Sequence, residues 1–266
     1  MASTAPYLRS ELAQQWQDKD VFSVVQQLEG DVFRDKEGRK TLRFELQNKS
    51  YFLKVHQGIG WKEIIKNLVQ LRMPVISAKN EWQAIHFLEK HQIDTMTIAA
   101  YGERGINPAK VESFIVTDEL TETMSLEHLG QQWKKSPPTF KTKISLIEKL
   151  AHITKTMHEN GMNHRDFYLC HFLLDQRFSE HNTIDENTKL FLIDLHRAQL
   201  RSKTPLRWII KDLGSLYFSA AEVPLTKRDL FRFIKIYSGG KLRNSVVKNR
   251  DFWFNVGKRA GKLLVE

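Results

Sequence analysis

A chain of 266 residues with 41% hydrophobic and 27% charged residues has the make-up of a folded globular protein and excludes an intrinsically disordered one. No stretch approaches the roughly 20 apolar residues of a membrane span, and the single cysteine, Cys170, excludes an intrachain disulfide. A net charge of +10 calls for an anionic partner, which could be nucleic acid, a membrane surface or a phosphorylated substrate. Met1–Trp16 lacks the apolar core of a secretory signal, so the expected compartment is the cytoplasm.

In chain order, Asp31–Arg34 and Thr41–Leu46 read as short strands joined by the turn chemistry of Asp35-Lys36-Glu37-Gly38. A third strand, Tyr51–His56, follows the polar turn Asn48-Lys49-Ser50. The period then changes to that of a helix. Trp61, Ile64, Ile65, Leu68 and Leu71 recur at helical spacing until Pro74, a stripe expected to pack on its own lobe, with membrane or acceptor contact as the alternative. A second helix covers about Asn80–His91, and Val111–Val116 reads as a strand. Gly130–Thr139, rich in Ser, Pro and Lys, reads as a loop before a long helix striped by Ile144, Ile147, Leu150, Ile153 and Met157, with Gly161 at its end. Two apolar strands, Phe172–Leu174 and Leu190–Ile193, flank a polar loop, and Thr226 with Asp229 resembles a capping box opening the helix Lys227–Tyr237. The expectation is an α+β fold with a strand-rich N-terminal lobe over 1–120 and a helical C-terminal lobe over 121–266.

The strongest chemical signal is His164-Arg165-Asp166, placed after the long helix and before a strand. A kinase catalytic loop has this tripeptide, four further residues and then a metal-holding residue. The residue at that last position here is His171, where protein kinases carry Asn. Downstream, Leu190-Phe191-Leu192-Ile193 runs into Asp194, an apolar strand ending in the carboxylate expected to hold Mg²⁺. Phosphoryl transfer needs alignment and charge neutralisation more than covalent work, so one carboxylate, Asp166, faces the acceptor hydroxyl and another, Asp194, holds the metal. Upstream, alternation along Tyr51–His56 puts Phe52 and Lys54 on one strand face, which suits Lys54 to pair with the ATP phosphates. Its partner carboxylate should lie on the next helix. Glu81 is chosen, because the rival Glu63 follows the strand so closely that it belongs to an inserted helix. Asp212, in Lys211-Asp212-Leu213-Gly214, resembles the buried helix aspartate that braces a kinase catalytic loop.

The order of these parts, together with the segments YFLKVHQGIGW (51–61), KNLVQLRMP (66–74), NHRDFYLCHFLL (163–174) and FLIDLHR (191–197), resembles the lipopolysaccharide core heptose(I) kinases of Gram-negative bacteria. The resemblance implies a protein-kinase-like bilobal fold and transfer of phosphate from ATP to a hydroxyl of the first heptose of the inner core. It implies Asp166 as the catalytic residue, Lys54, Glu81 and Asp194 at the nucleotide, and Asp194 with His171 at the metal. Its implied partners are nascent core–lipid A, the anionic inner face of the inner membrane and acyl carrier protein.

Departures from protein kinases set the remaining alternatives. No G-x-G-x-x-G joins the first two strands, where Gly38 stands among Arg34, Lys36, Arg39 and Lys40, so side-chain cations would serve the phosphates. Asp194-Leu195-His196-Arg197 replaces D-F-G, and no A-P-E segment follows. Mg²⁺ favours oxygen, so His171 either ligates the ion directly, which would suit Mn²⁺, or orients Asp194. Aminoglycoside- or choline-type kinases and a catalytically dead scaffold are the rival readings. The charge has no zinc spacing, RNA-binding signature or helix-turn-helix with it, so nucleic acid is not the expected partner.

Overall fold

The computed structural model describes residues 5–36, 38–70, 74–176, 184–185 and 187–265. They belong to two units, Met1–His86 with Met96–Leu120, and Phe87–Thr95 with Thr121–Glu266. In the first unit the elements run β1 (Tyr7–Leu8), α1 (Ser10–Gln15), α2 (Val21–Gln27), β2 (Asp31–Lys36), β3 (Arg39–Leu46), β4 (Lys49–Gln57), α3 (Gly60–Val69), α4 (Lys79–Lys90, of which residues 87–90 count with the second unit), β5 (Ile98–Arg104) and β6 (Glu112–Asp118). Among the described residues the strands form a six-stranded antiparallel sheet in the order β1-β5-β6-β4-β3-β2.

Alternation along β4 determines what each sheet face carries. Tyr51, Leu53 and Val55 join Leu12, Trp16, Phe22 and Val25 of the α1–α2 region, with Leu42 and Phe44 of β3, in one apolar core. Each such side chain, fully buried, contributes about 1.5–3 kcal/mol. Phe52 and Lys54, of opposite parity, stay only partly buried. The helix α4 is anchored by Ala84, Ile85 and Leu88, all fully buried, and by Trp82 stacked on Tyr101 of β5 at 4.4 Å.

Several expectations are corrected in this unit. Helices α1 and α2, between β1 and β2, were not foreseen; at six and seven residues they are too short to show a clear apolar period. Strand β5 was not foreseen, because Ala99, Ala100 and Gly102 carry little strand propensity. Its Gly102 is needed there, since a Cβ would lie 2.5 Å from the ring of Phe114. The turn expected at 35–38 starts later, because Asp35 and Lys36 are still in β2; Glu37 lies outside the described residues. The stripe of α3 does not pack on the lobe as expected. Only Ile64 is buried, while Trp61, Ile65, Leu68 and Val69 are 51–78% exposed, and Leu71 lies outside the described residues.

The second unit holds β7 (Thr123–Ser125), α5 (Leu126–Lys135), α6 (Phe140–Glu159), β8 (Met162–Asn163), β9 (Phe172–Asp175), β10 (Leu190–Leu192), β11 (Gln199–Leu200), α7 (Leu206–Ser219), α8 (Lys227–Ser238), α9 (Leu242–Lys248) and α10 (Arg250–Leu263). A three-stranded sheet runs β10-β9-β7, and β11 pairs with β8. Residues 87–95 belong to this unit because Asp94 and Thr95 are laced to β10. The Asp94 carbonyl accepts from Leu192 N at 2.9 Å, its carboxylate accepts from Leu190 N at 3.2 Å, and the Thr95 hydroxyl donates to Leu192 O at 2.7 Å.

The loop expected at Gly130–Thr139 is largely a helix. Ser125 caps α5 by accepting from His128 N, and Leu126, Leu129, Gly130 and Trp133 are its buried face at helical spacing. Gly130 is tolerated inside the helix because Val223 packs where a Cβ would be, 2.5 Å away. The long helix α6 is capped by the Thr139 hydroxyl, which accepts from Thr142 N, and the capping box of Thr226 and Asp229 opens α8. Gly161, at φ +92°, turns the chain from α6 into β8, and a Cβ there would sit 1.8 Å from the carbonyl oxygen of Arg201. Most of the polar loop expected between β9 and β10 lies outside the described residues.

Candidate active site

In the first unit, Lys54 of β4 reaches Glu81 in the first turn of α4, with Nζ 2.7 Å from Oε1. Glu81 is buried and Lys54 is about a quarter exposed, so the glutamate holds the ammonium from beneath while the lysine keeps an open side. The rival Glu63 is occupied elsewhere: Lys66 and Asn67 on its own helix α3 take its carboxylate.

In the second unit the reacting loop is suspended from one buried carboxylate. Asp212 of α7, fully buried, accepts from His164 N at 2.7 Å and from Arg165 N at 2.9 Å, with His158 Nε2 at 3.4 Å from the same group. These bonds hold Arg165 at φ +77°, a left-handed conformation that a non-glycine residue adopts only when its surroundings enforce it. That bend leaves Asp166 partly exposed, and Arg197 Nη1 donates to Asp166 Oδ1 at 2.7 Å.

The loop is also tied to the segment that follows β10. His164 is buried; burial pushes its imidazole pKa down, and Nε2–H of the neutral ring donates to Ile193 O at 2.9 Å. Ile193 N in turn donates to His171 O at 3.0 Å. Asp194 then takes φ +60° and opens a single 3-10 turn, Leu195–Arg197. That turn returns His196 to the Asp194 carboxylate, Nδ1 to Oδ1 2.6 Å, and carries Arg197 back to Asp166. On the other side His171 donates Nδ1–H to Asp166 O at 2.6 Å, and its Nε2 stands 3.5 Å from Asp194 Oδ2. Burial opposes charge on His171, but Cys170, the Asp166 carbonyl and Asp194 more than offset it and raise its pKa to about 9.

The expected site residues thus form two sets, Lys54 with Glu81 and Asp166 with His171 and Asp194, each within its own unit. Arg197 and His196 had no role assigned from the sequence, although both lie in the tetrapeptide that stands in for D-F-G. The available signal was the run from Leu195 to Lys211, which has five Lys and Arg and no Asp or Glu. Among the described residues no three His, Cys, Asp or Glu side chains gather into a protein-only metal cage. Mg²⁺ does not require one, since it commonly takes one or two carboxylates and completes its shell with phosphate oxygens and water. Asp194, a third exposed, suits that mode.

A lysine fixed by a helix glutamate, and a His-Arg-Asp loop hung from a buried aspartate ahead of a strand-end carboxylate, together define the protein-kinase-like phosphotransferases. Comparison with known proteins narrows the class. Residues 23–237 match the model of the lipopolysaccharide kinase (Kdo/WaaP) family, and the chain belongs to that family. It is 50% identical over 236 residues to the lipopolysaccharide core heptose(I) kinase WaaP of Escherichia coli (strain K12), covering 89% of this chain and 88% of that one. The Pseudomonas aeruginosa protein of the same name is 48% identical over 228 residues, 86% of this chain and 84% of its own length. A solved structure of WaaP in complex with acyl carrier protein shares the fold, with a TM-score of 0.84 and 39% identity over 98% of this chain and 99% of that one.

Asp212→Ala should cost about 3 kcal/mol of stability, because two buried amides of the reacting loop lose their acceptor. Urea unfolding of the purified variant checks this, and a loss below about 1 kcal/mol would show that the loop is held by other means.

Proposed function

We propose that this chain transfers the γ-phosphoryl group of ATP to a hydroxyl of the first heptose of the lipopolysaccharide inner core, with Asp166 as the catalytic residue. The observation that carries this reading is the placement of Asp166, partly exposed in a loop fixed by Asp212 and held by Arg197. The Asp166 carboxylate accepts a hydrogen bond from the acceptor hydroxyl and turns its oxygen lone pair toward the γ-phosphorus. As the new P–O bond forms, the bond to the β-phosphate oxygen breaks, ADP leaves, and the hydroxyl proton passes to Asp166. Lys54, held by Glu81, neutralises charge on the nucleotide phosphates. Asp194 would hold Mg²⁺, which when bound spreads the negative charge of the phosphate oxygens. His171 and His196 bracket that carboxylate, and His171, bonded to the Asp166 carbonyl, acts as a positioning residue.

Asp166→Asn is expected to lower kcat about 10²–10⁴-fold with core–lipid A as acceptor, while ATP affinity stays near that of the wild type. Lys54→Ala should instead weaken ATP binding as well. Steady-state kinetics with nucleotide titration separates the two, and near-normal turnover by folded Asp166→Asn would remove Asp166 from its role.

The acceptor is a membrane lipid, and we place the enzyme at the cytoplasmic face of the inner membrane. Among the described residues no helix is long and apolar enough to cross a membrane. The exposed Trp61, Ile65, Leu68 and Val69 of α3, beside Lys62 and Lys66, favour a surface contact. Basic residues near an anionic surface contribute about 1 kcal/mol each. Replacing Trp61 and Leu68 by Ser should reduce co-sedimentation with phosphatidylglycerol-containing vesicles severalfold, whereas unchanged binding would move the contact off α3.

Acyl carrier protein is a further partner on this reading. The second unit contains an apolar cavity of about 280 Å³, lined by residues including Leu129, Trp133, Leu146, Leu216, Phe233 and Trp253. An acidic carrier could dock on this basic chain and place its acyl chain there. Acyl-loaded carrier should raise Tm by several degrees and carrier lacking the acyl chain should not; equal shifts with both would exclude the cavity as the receptor.

A further inference from the structure

The run from Leu195 to Lys211 is basic without relief, and its structure concentrates that charge around one side chain. Trp208, near the start of α7, has Lys211 Nζ at 4.5 Å from its ring centroid, Arg165 Cζ at 5.1 Å and Arg207 Cζ at 5.3 Å. The indole offers each cation a favourable face but no neutralising charge. Among the described residues no carboxylate forms a salt bridge with any of these three cations, and the two acids of the loop and its brace are already committed. Asp212 is buried under the backbone amides of His164 and Arg165, and Asp166 is bonded to Arg197. Arg207 and Lys211 are exposed. Burial, followed by Arg259, Arg165, Arg207 and Arg197, pulls the Lys211 pKa down, as mutual repulsion requires.

Like charges gathered without a counter-charge are unfavourable for the free protein, and a ligand that supplies the missing negative charge relieves them. The position of this cluster says which ligand. Arg165 adjoins Asp166 in the reacting loop, so an anion held here lies on the molecule whose hydroxyl faces Asp166.

We propose that Arg165, Arg207 and Lys211, assembled on Trp208, form an anion-binding subsite for a carboxylate or phosphate carried by the acceptor close to the hydroxyl that is phosphorylated. The proposal rests on the acceptor reading given above and adds that the acceptor is recognised by its acidic substituent as well as by its sugar ring. Arg165 sets the inner edge of the subsite, and Arg207 and Lys211, exposed beside Trp208, set its specificity.

The test uses water-soluble, deacylated core oligosaccharide, which removes the membrane from the comparison. Wild-type protein and the Arg207→Ala/Lys211→Ala variant are assayed with three acceptors, namely the intact oligosaccharide, its dephosphorylated form and its carboxyl-amidated form. Thermal unfolding confirms that the variant is folded. The expected result is a rise of about tenfold or more in the acceptor KM of the variant on the intact acceptor, with kcat and the KM for ATP within about twofold. On whichever acceptor lacks the recognised anion, wild type and variant should converge, which identifies the group as phosphate or carboxylate. Equal loss on all three acceptors, or none, overturns the subsite, as would a variant whose only defect is weaker binding to anionic vesicles. Calorimetric titration of the oligosaccharide without ATP keeps the two readings apart. Binding that weakens in the variant while wild type phosphorylates no acceptor would refute the proposed reaction and leave the subsite standing. Absence of binding to wild type would overturn the subsite.

Discussion

A single carboxylate with no access to solvent organises the reacting half of this protein. Asp212 projects from α7 into the turn between β8 and Asp166 and accepts from two consecutive backbone amides. A buried acid without such partners would be costly; with them it fixes a conformation that the loop would otherwise avoid. Arg165 can then be left-handed, Asp166 can stand at the surface, and His164 can turn inward to Ile193. Through Ile193 the constraint reaches Asp194, and through the 3-10 turn it returns to Asp166 by way of Arg197. Asp166 and Asp194 are thus positioned by one closed circuit of hydrogen bonds.

The circuit also distinguishes this site from the protein-kinase pattern. In D-F-G the aspartate is followed by an apolar and a small residue, whereas here it is followed by Leu195, His196 and Arg197. Two imidazoles bracket Asp194 and a guanidinium steadies Asp166. Each carboxylate therefore has nitrogen-bearing partners from its own chain beside it, where the protein-kinase tripeptide supplies none.

How far the sequence disclosed this depended on whether the signal was local. Lys54 could be singled out by the alternation of its strand, His164-Arg165-Asp166 by its place after a long helix whose period is plain, and Asp194 by its place after a short apolar strand. Glu81 could be preferred to Glu63 because α3 follows β4 so closely, and Lys54 forms its ion pair with Glu81. The helix α5 was hidden by Gly130 and the prolines after it, since only tertiary packing against Val223 makes a glycine acceptable there. The exposure of the α3 stripe was hidden for the opposite reason: an apolar stripe reads the same in a sequence whether the fold covers it or leaves it open. Arg197 was out of reach because its contact with Asp166 depends on a left-handed aspartate and a single 3-10 turn, neither of which has a compositional mark.

Gly161 has a further consequence. Its α-carbon faces the Arg201 carbonyl so closely that only hydrogen fits, and Arg201 in turn holds the side chain of Asn163 through its guanidinium at 2.6 Å. A methyl group at 161 would separate β8 from β11 just ahead of the catalytic tripeptide, without touching a reacting group. Inherited loss of activity in such an enzyme need not map to its chemistry. A gene can be silenced at a hinge glycine as completely as at a catalytic acid, and sequence surveys that score only the acids would count that allele as active.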